Sequence, residues 1–438
     1  MNIAVADLRI VNGTVLTMAP GWELIADGVV CSREGLISYV GPADQAPKPG
    51  DEQVIDASGC AVLPGLVNAH THLAMTLFRG YADDMMLQEW LEDWIWPAEM
   101  RLRPEDVYWG SLLGACEMLH FGVTCFNDMY HMPEQTVAAA LDSGIRACPS
   151  GVLLGFLPDA EQLLEEAIAF VRHLQQQNHP RIHPMLAPHA LYTCPDEMLL
   201  KVGEGARDTG VPLHIHLAET ASEVQDSYDE YGESPVAHLN TLGLLDIPML
   251  AAHCVHLSET DIALLAEKQV GIAHCPTSNM KLSSGFAPVP ELLEAGAVVG
   301  LGTDGCASNN NLDMLEEAHL AALLHKVHSG DPTTIPAHTA LVMATRRSAQ
   351  ALGLGDIIGT LEVGKRADII LVDMSSPHLQ PHRDPISHLI YAAHGSDVRT
   401  TIVEGQIVMN EGEILTVDEG EVIAHATECA AHITGTAG

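Results

Sequence analysis

Eight apolar, β-forming runs, several followed by a helical stretch, constrain this chain more than any other feature. They cover residues 61–69, 122–128, 146–154, 182–189, 212–219, 248–255, 270–276 and 298–304. Continuous apolar runs suit parallel strands covered on their outer face. Helical patterns such as 159–177 and 258–267 fill gaps between them. Eight alternating units over roughly 240 residues match a (β/α)8 barrel in size and order. A doubly wound open sheet is the alternative. The barrel is preferred because polar residues able to do chemistry recur at the C-terminal ends of the runs all round the count. No short-period repeat or low-complexity segment competes.

The flanks read as short strands and turns. Leu8, Ile10, Val11, Val15 and Leu16 surround Asn12-Gly13, a hairpin signal. Similar short runs follow at Val29-Val30 and 36–40, and again at 367–372 and 398–403. Neither flank is long enough for a good core alone, but chain termini often lie close together. The expectation is one small β-sandwich from residues 1–62 and 361–438, beside a barrel domain of 63–360. With 47% hydrophobic but only 4% aromatic residues, Ala, Val, Leu and Ile must fill most of the core.

The formal charge of −38, from 20 Lys+Arg against 58 Asp+Glu, repels phosphate backbones and argues against nucleic acid as a partner. No apolar run reaches the ~18 residues of a membrane span. Residues 1–7 lack the basic-then-apolar order of an export signal. The ten cysteines are scattered, with no CxxC pair, as in a reduced cytoplasmic protein.

The first run ends in Asn68-Ala69-His70-Thr71-His72, and residues two apart on a strand face the same side, so both histidines can meet one ion. An HxH alone is weak and most are ordinary polar histidines; its place at a barrel strand end strengthens it. The fifth run gives His214-Ile215-His216-Leu217-Ala218-Glu219, the sixth His253, and the eighth delivers Asp304 from an apolar strand. A lone buried aspartate is costly unless paired or metal-bound. Each could be a hydrogen-bonded structural group, but all four coincide at strand C-termini. Imidazoles with one carboxylate suit one divalent metal, zinc first and Fe2+ or Mn2+ as alternatives. Cys254 and Cys275 each follow a histidine and should face the other way, into packing.

Residues 63–72, Leu-Pro-Gly-Leu-Val-Asn-Ala-His-Thr-His, and 359–368, Gly-Thr-Leu-Glu-Val-Gly-Lys-Arg-Ala-Asp, resemble the entry and return motifs of the amidohydrolase superfamily. The resemblance covers nearly the whole chain and is most similar to 5-methylthioadenosine/S-adenosylhomocysteine deaminases. It implies one metal ion held by His70, His72, His216 and Asp304. His216 is preferred to His214 because it precedes Glu219 by three residues. It implies that Glu219 shuttles a proton from the attacking water to the purine N1, with His253 orienting that water and Asp304 assisting. It further implies that Trp90, Glu99, His189, Glu219 and Ser308 line the nucleoside site, Glu99 taking the ribose hydroxyls. An ordinary amphipathic helix using Trp90, Trp94 and Trp96 as core is the bland alternative for that segment, and a satisfied interior histidine is the alternative for His189.

The resemblance departs at one point. Residues 150–156 offer no arginine to grip the amino-acid carboxylate of S-adenosylhomocysteine, and Arg172 would be a distant substitute on a helix face. Methylthioadenosine is therefore the expected substrate. A guanine-type deaminase or triazine hydrolase on the same scaffold is the competing enzyme reading, and a non-catalytic interaction protein the competing class. The motifs leave open a role for His274 and self-association into a homo-oligomer.

Overall fold

The computed structural model describes residues 7–21 and 24–435; residues 1–6, read above for an export signal, lie outside them. The apolar runs become two parallel arcs of four strands. One comprises Leu66–Thr71, Val123–Tyr130, Arg146–Leu153 and Ala187–Pro188; the other comprises Leu213–Leu217, Met249–His253, Gly271–His274 and Val298–Leu301. A parallel bridge between Leu186 and Leu213 joins the arcs at one seam. At the other, the Asp304 N–H donates to the His70 carbonyl at 3.0 Å and Asn68 Nδ2 donates to Thr303 Oγ1 at 2.7 Å. Gly302 permits that approach, since a Cβ there would lie 2.8 Å from the His70 oxygen. The strands thus form a (β/α)8 barrel.

Helices shield the outer face. Ala160–Gln177 buries Leu164, Ala167, Val171 and Leu174, the three-and-four spacing of one helical stripe. Each fully buried aliphatic side chain of this kind contributes about 1.5–3 kcal/mol. Among the described residues no helix is long and apolar enough to cross a membrane.

The flanks meet in one nine-stranded mixed sheet. Leu8–Leu16 lies at its centre, pairing antiparallel with Leu24–Arg33 and parallel with Gln53–Asp56 and Cys60–Pro64; Ile369–Asp373 continues it from the far end of the chain. This sandwich has its own core of Leu8, Ile10, Val62, Ile369, Leu371 and Ile402 among others. Arg146, fully buried on the third barrel strand, joins the two parts through a bidentate pair with Asp368, both contacts 2.9 Å.

Three local readings need correction. Asn12-Gly13 is not a hairpin: Leu8–Leu16 runs through it, with register shifts on either side of Gly13. The strand has partners on both edges, so the irregularity is absorbed as a bulge, with Asn12 at φ 64° and its amide bonded to Asp56. The run 61–69 divides at Gly65 into a sandwich strand and a barrel strand, and a Cβ at Gly65 would sit 2.0 Å from Thr124 Oγ1. The run 182–189 pairs only briefly, because Pro184 and Pro188 cannot donate to a ladder. At the C-terminal side, Glu419–Thr434 leaves the sheet and packs against Pro104–His120, where Trp109 stacks on His425 with ring centroids 4.3 Å apart.

Candidate active site

The strand C-termini bring His70, His72, His216, His253 and Asp304 to one point. His70, His216 and His253 offer ring nitrogens within 4.8 Å of one another, as do the ligand atoms of His70, His72 and Asp304. Asp304 Oδ1 is 3.1 Å from His72 Nε2 and 3.3 Å from His70 Nε2. Its other oxygen accepts from the hydroxyls of Ser278 and Ser308, each at 2.7 Å. Backbone groups set two of the imidazoles. His72 Nδ1 donates to the Met129 carbonyl at 2.6 Å, and His216 Nδ1 to the His189 carbonyl at 2.9 Å. Both Nε2 atoms therefore point inward, 3.4 Å apart, where each can offer a lone pair to a cation. The buried His70 Nε2 has no hydrogen-bond partner.

Three converging imidazole lone pairs and a carboxylate cannot be reconciled by a single proton, whereas a divalent cation satisfies all four. The demand for positive charge is visible at His72. Burial opposes its ionisation, yet hydrogen bonding and attraction to Asp304 raise its pKa to about 9. The residues fit a histidine-rich metal site.

Glu219 follows the fifth strand, buried beside this cluster. Burial raises its pKa above the usual carboxylate value. Ser284 Oγ donates to one of its oxygens at 3.2 Å, and His253 Nε2 is 3.8 Å from the other. Asn279 Oδ1, 2.9 Å from His253 Nδ1, accepts from it and fixes that ring. Glu223 accepts from the N–H groups of Ala218 and Glu219 at 2.9 and 2.8 Å, holding the turn at the strand end. Ala218, His253 and Asp304 all have positive φ, at 50°, 70° and 61°. Backbone strain of this kind gathers where side chains must be aimed.

A cavity rises from these groups, walled by Trp90, Glu99, Tyr130, His131 and His189. Its cover is helical, from Leu87–Glu89 through a π-helical turn, Trp90–Ile95, to Trp96–Glu99. Trp90 is buried, with Nε1 donating to the Ala82 carbonyl at 3.2 Å. Trp94 is 39% exposed and so is no core residue, and Trp96 stands on the wall near Phe156. His189 Nδ1 is 3.0 Å from Thr193 Oγ1, and burial lowers its pKa to about 3, so it is a neutral imidazole. Ser308 stands apart from the cavity wall: it is buried beneath Asp304 and holds that carboxylate. The cavity opens into an outer chamber of about 830 Å³ that passes Met86, Glu92, Phe156, Tyr192 and Asp226.

Sequence reading missed the supporting groups Ser278, Asn279 and Glu223. Ser278 and Asn279 follow the seventh strand as Asp304 follows the eighth, a positional signal that could have found them. His214 faces His70, its Nε2 2.8 Å from His70 Nδ1, and holds that ring. His274 lies apart, 3.3 Å from His325 between buried ring nitrogens. Arg172 lies in an outer groove with Lys201, Glu204 and Asp208. Cys254 and Cys275 are buried and free.

Residues 61–408 match the model of the amidohydrolase family. A 5-methylthioadenosine/S-adenosylhomocysteine deaminase of Moorella thermoacetica is 53% identical over 92% of this chain and 95% of its own. A 5'-deoxyadenosine deaminase of Methanosarcina acetivorans is 48% identical over 99% of both chains. An adenosine deaminase from Xanthomonas campestris, crystallised with bound zinc, superposes with a TM-score of 0.94 at 38% identity, covering 98% of this chain and 99% of its own.

Proposed function

The chain belongs to the amidohydrolase family, and within it we propose that it is a hydrolytic deaminase of 5'-substituted adenosines, converting the 6-amino group to a 6-oxo group and releasing ammonia. The observation that carries this reading is the pairing of a histidine-rich metal site with the buried Glu219 below a cavity walled by Trp90, Glu99 and His189. Relatives over nearly the full length bear the names of adenosine-type deaminases.

His70, His72, His216 and Asp304 would hold the metal ion, with zinc the fitting identity for this donor set and Fe2+ or Mn2+ the alternatives. The ion supplies Lewis acidity that makes a water molecule nucleophilic at neutral pH. The protein's own groups manage geometry and protons. His253, fixed by Asn279, orients the attacking water. Glu219 takes a proton from that water and delivers it to the ring N1, and its burial-raised pKa suits a group that must both accept and donate. Water oxygen adds at C6, the C6–N6 bond breaks, and the amino group leaves as ammonia with the second proton of the water, while the first remains on N1 of the 6-oxo product. His189, kept neutral, is available to hydrogen-bond the purine, Trp90 packs against it, and Glu99 accepts from the ribose. Ser308 acts through Asp304. Residues 63–360 form the catalytic unit in this reading, with 1–62 and 361–438 as the second unit.

The outer chamber would receive the 5'-substituent. Its lining carries Glu92 and Asp226, and among the described residues that line it there is no Lys or Arg. A neutral methylthio tail fits this wall, whereas the carboxylate of S-adenosylhomocysteine finds no Lys or Arg there to grip it. Absorbance assays on methylthioadenosine, S-adenosylhomocysteine, adenosine and guanine with metal-loaded protein test the reading. The adenine-to-hypoxanthine change is expected fastest on methylthioadenosine. Deamination of guanine with silence on every adenosine would overturn it.

A further inference from the structure

Tyr130 ends the second barrel strand, Val123–Tyr130, with its side chain 2% exposed and on the wall of the inner cavity. Its hydroxyl is buried and makes no hydrogen bond of ordinary geometry to the described residues, although the Glu99 carboxylate stands close enough to attract its hydrogen. A buried phenol ordinarily finds a partner, so an unpaired one on a cavity wall points to something that enters. Beside it lies Glu99, also nearly buried, whose nearest charged partner, His131 Nε2, is 3.7 Å away and beyond hydrogen-bond range. Burial, then the charge of Glu99 and the pull of its carboxylate on the phenol hydrogen, push the Tyr130 pKa far upward, so the phenol remains a donor.

The two groups are complementary in what they lack. The carboxylate can only accept, and the phenol has a hydrogen to give. An aliphatic hydroxyl satisfies both, because its hydrogen can go to Glu99 while its oxygen accepts from Tyr130. The neighbouring wall already carries Trp90 and His189 for a ring system. We propose that Tyr130 is a substrate-contacting residue that donates its Oη–H to a ribose hydroxyl shared with Glu99, so that the pair selects sugar-bearing purines over free bases. This inference rests on the deaminase reading above.

The test compares adenosine, 2'-deoxyadenosine and 3'-deoxyadenosine on the metal-loaded wild type and on Tyr130→Phe, which keeps the ring and its packing. Losing one neutral donor to a charge-assisted pair should lower kcat/KM on adenosine by about 5- to 20-fold, chiefly through KM. On the deoxynucleoside that lacks the contacted hydroxyl the same substitution should cost about 2-fold or less, while the other deoxynucleoside keeps the full loss. Equal losses on all three would make Tyr130 a structural residue and overturn the assignment. A wild type indifferent to both hydroxyls would do the same. Turnover of free bases but no nucleoside would overturn the deaminase reading, and this assignment with it.

Discussion

The floor of the cavity and its cover are built on opposite plans. Every group on the floor is held by another: His72 and His216 by backbone carbonyls, Asp304 by Ser278 and Ser308, His253 by Asn279, and the Glu219 turn by Glu223. On the cover and facing wall, Trp90 has one hydrogen bond, Glu99 a distant histidine, and Tyr130 none of ordinary geometry among the described residues. A floor so over-determined suits the close positioning that a hydrolytic reaction demands. A cover with spare hydrogen-bonding capacity leaves that capacity for substrate. Chemistry is thus written into rigid strand ends, and specificity into side chains that lack partners.

The largest effect should come from the floor. Glu219→Gln keeps size and the Ser284 contact but cannot carry a proton, so turnover should fall by about 10²–10⁴ with metal content unchanged. Steady-state kinetics with elemental analysis checks both halves, and full activity in this variant would remove Glu219 from the proton path. One layer further out, Ser278→Ala and Ser308→Ala each strip one donor from Asp304. Each should weaken metal binding by about 10- to 100-fold, read by competition with a chelator. If Tyr130→Phe on the wall weakened metal binding as much, the division between floor and cover would collapse.

This division also explains what could be read in advance. The barrel was legible because parallel strands buried on both faces must be apolar along their length, and the convergence of histidines with one carboxylate because such groups recur at the strand ends; the choice of four ligands among them came from the family resemblance. His70, His72, His216, Glu219, His253 and Asp304 all met at one point. Side chains that act by tertiary approach left no local trace. The family resemblance put Ser308 on the wall, yet its place four residues after Asp304 turns its hydroxyl back onto the carboxylate. Tyr130 sits in an apolar strand where an aromatic residue is ordinary, and only the cavity beside it gives the hydroxyl meaning. Asn12-Gly13 carried a true turn preference that a central strand overrode by bulging. The Gly65 break was invisible because it depends on Thr124, far along the chain.

The smallest expected effect concerns the scaffold behind the floor. Glu317, fully buried on Met314–Ser329, accepts from Asn309 Nδ2 at 2.7 Å and from the Thr277 N–H at 3.3 Å. It thereby ties together the two segments after the seventh and eighth strands that supply Ser278 and Ser308. Burial raises its pKa from the ordinary 4.5 to about 8. The folded protein therefore keeps a proton that the unfolded chain gives up. The stability tied to that proton is present in full below pH 4.5 and is lost as pH rises through about 8. Glu317→Gln cannot ionise and keeps the size of the side chain and one acceptor oxygen for these contacts. Melting temperatures of metal-loaded wild type and variant should nearly coincide at about pH 5 and separate by a few degrees in the variant's favour by about pH 8. Parallel curves across that range would mean that Glu317 is already ionised at neutral pH, and that the tie between the loops is a charged one.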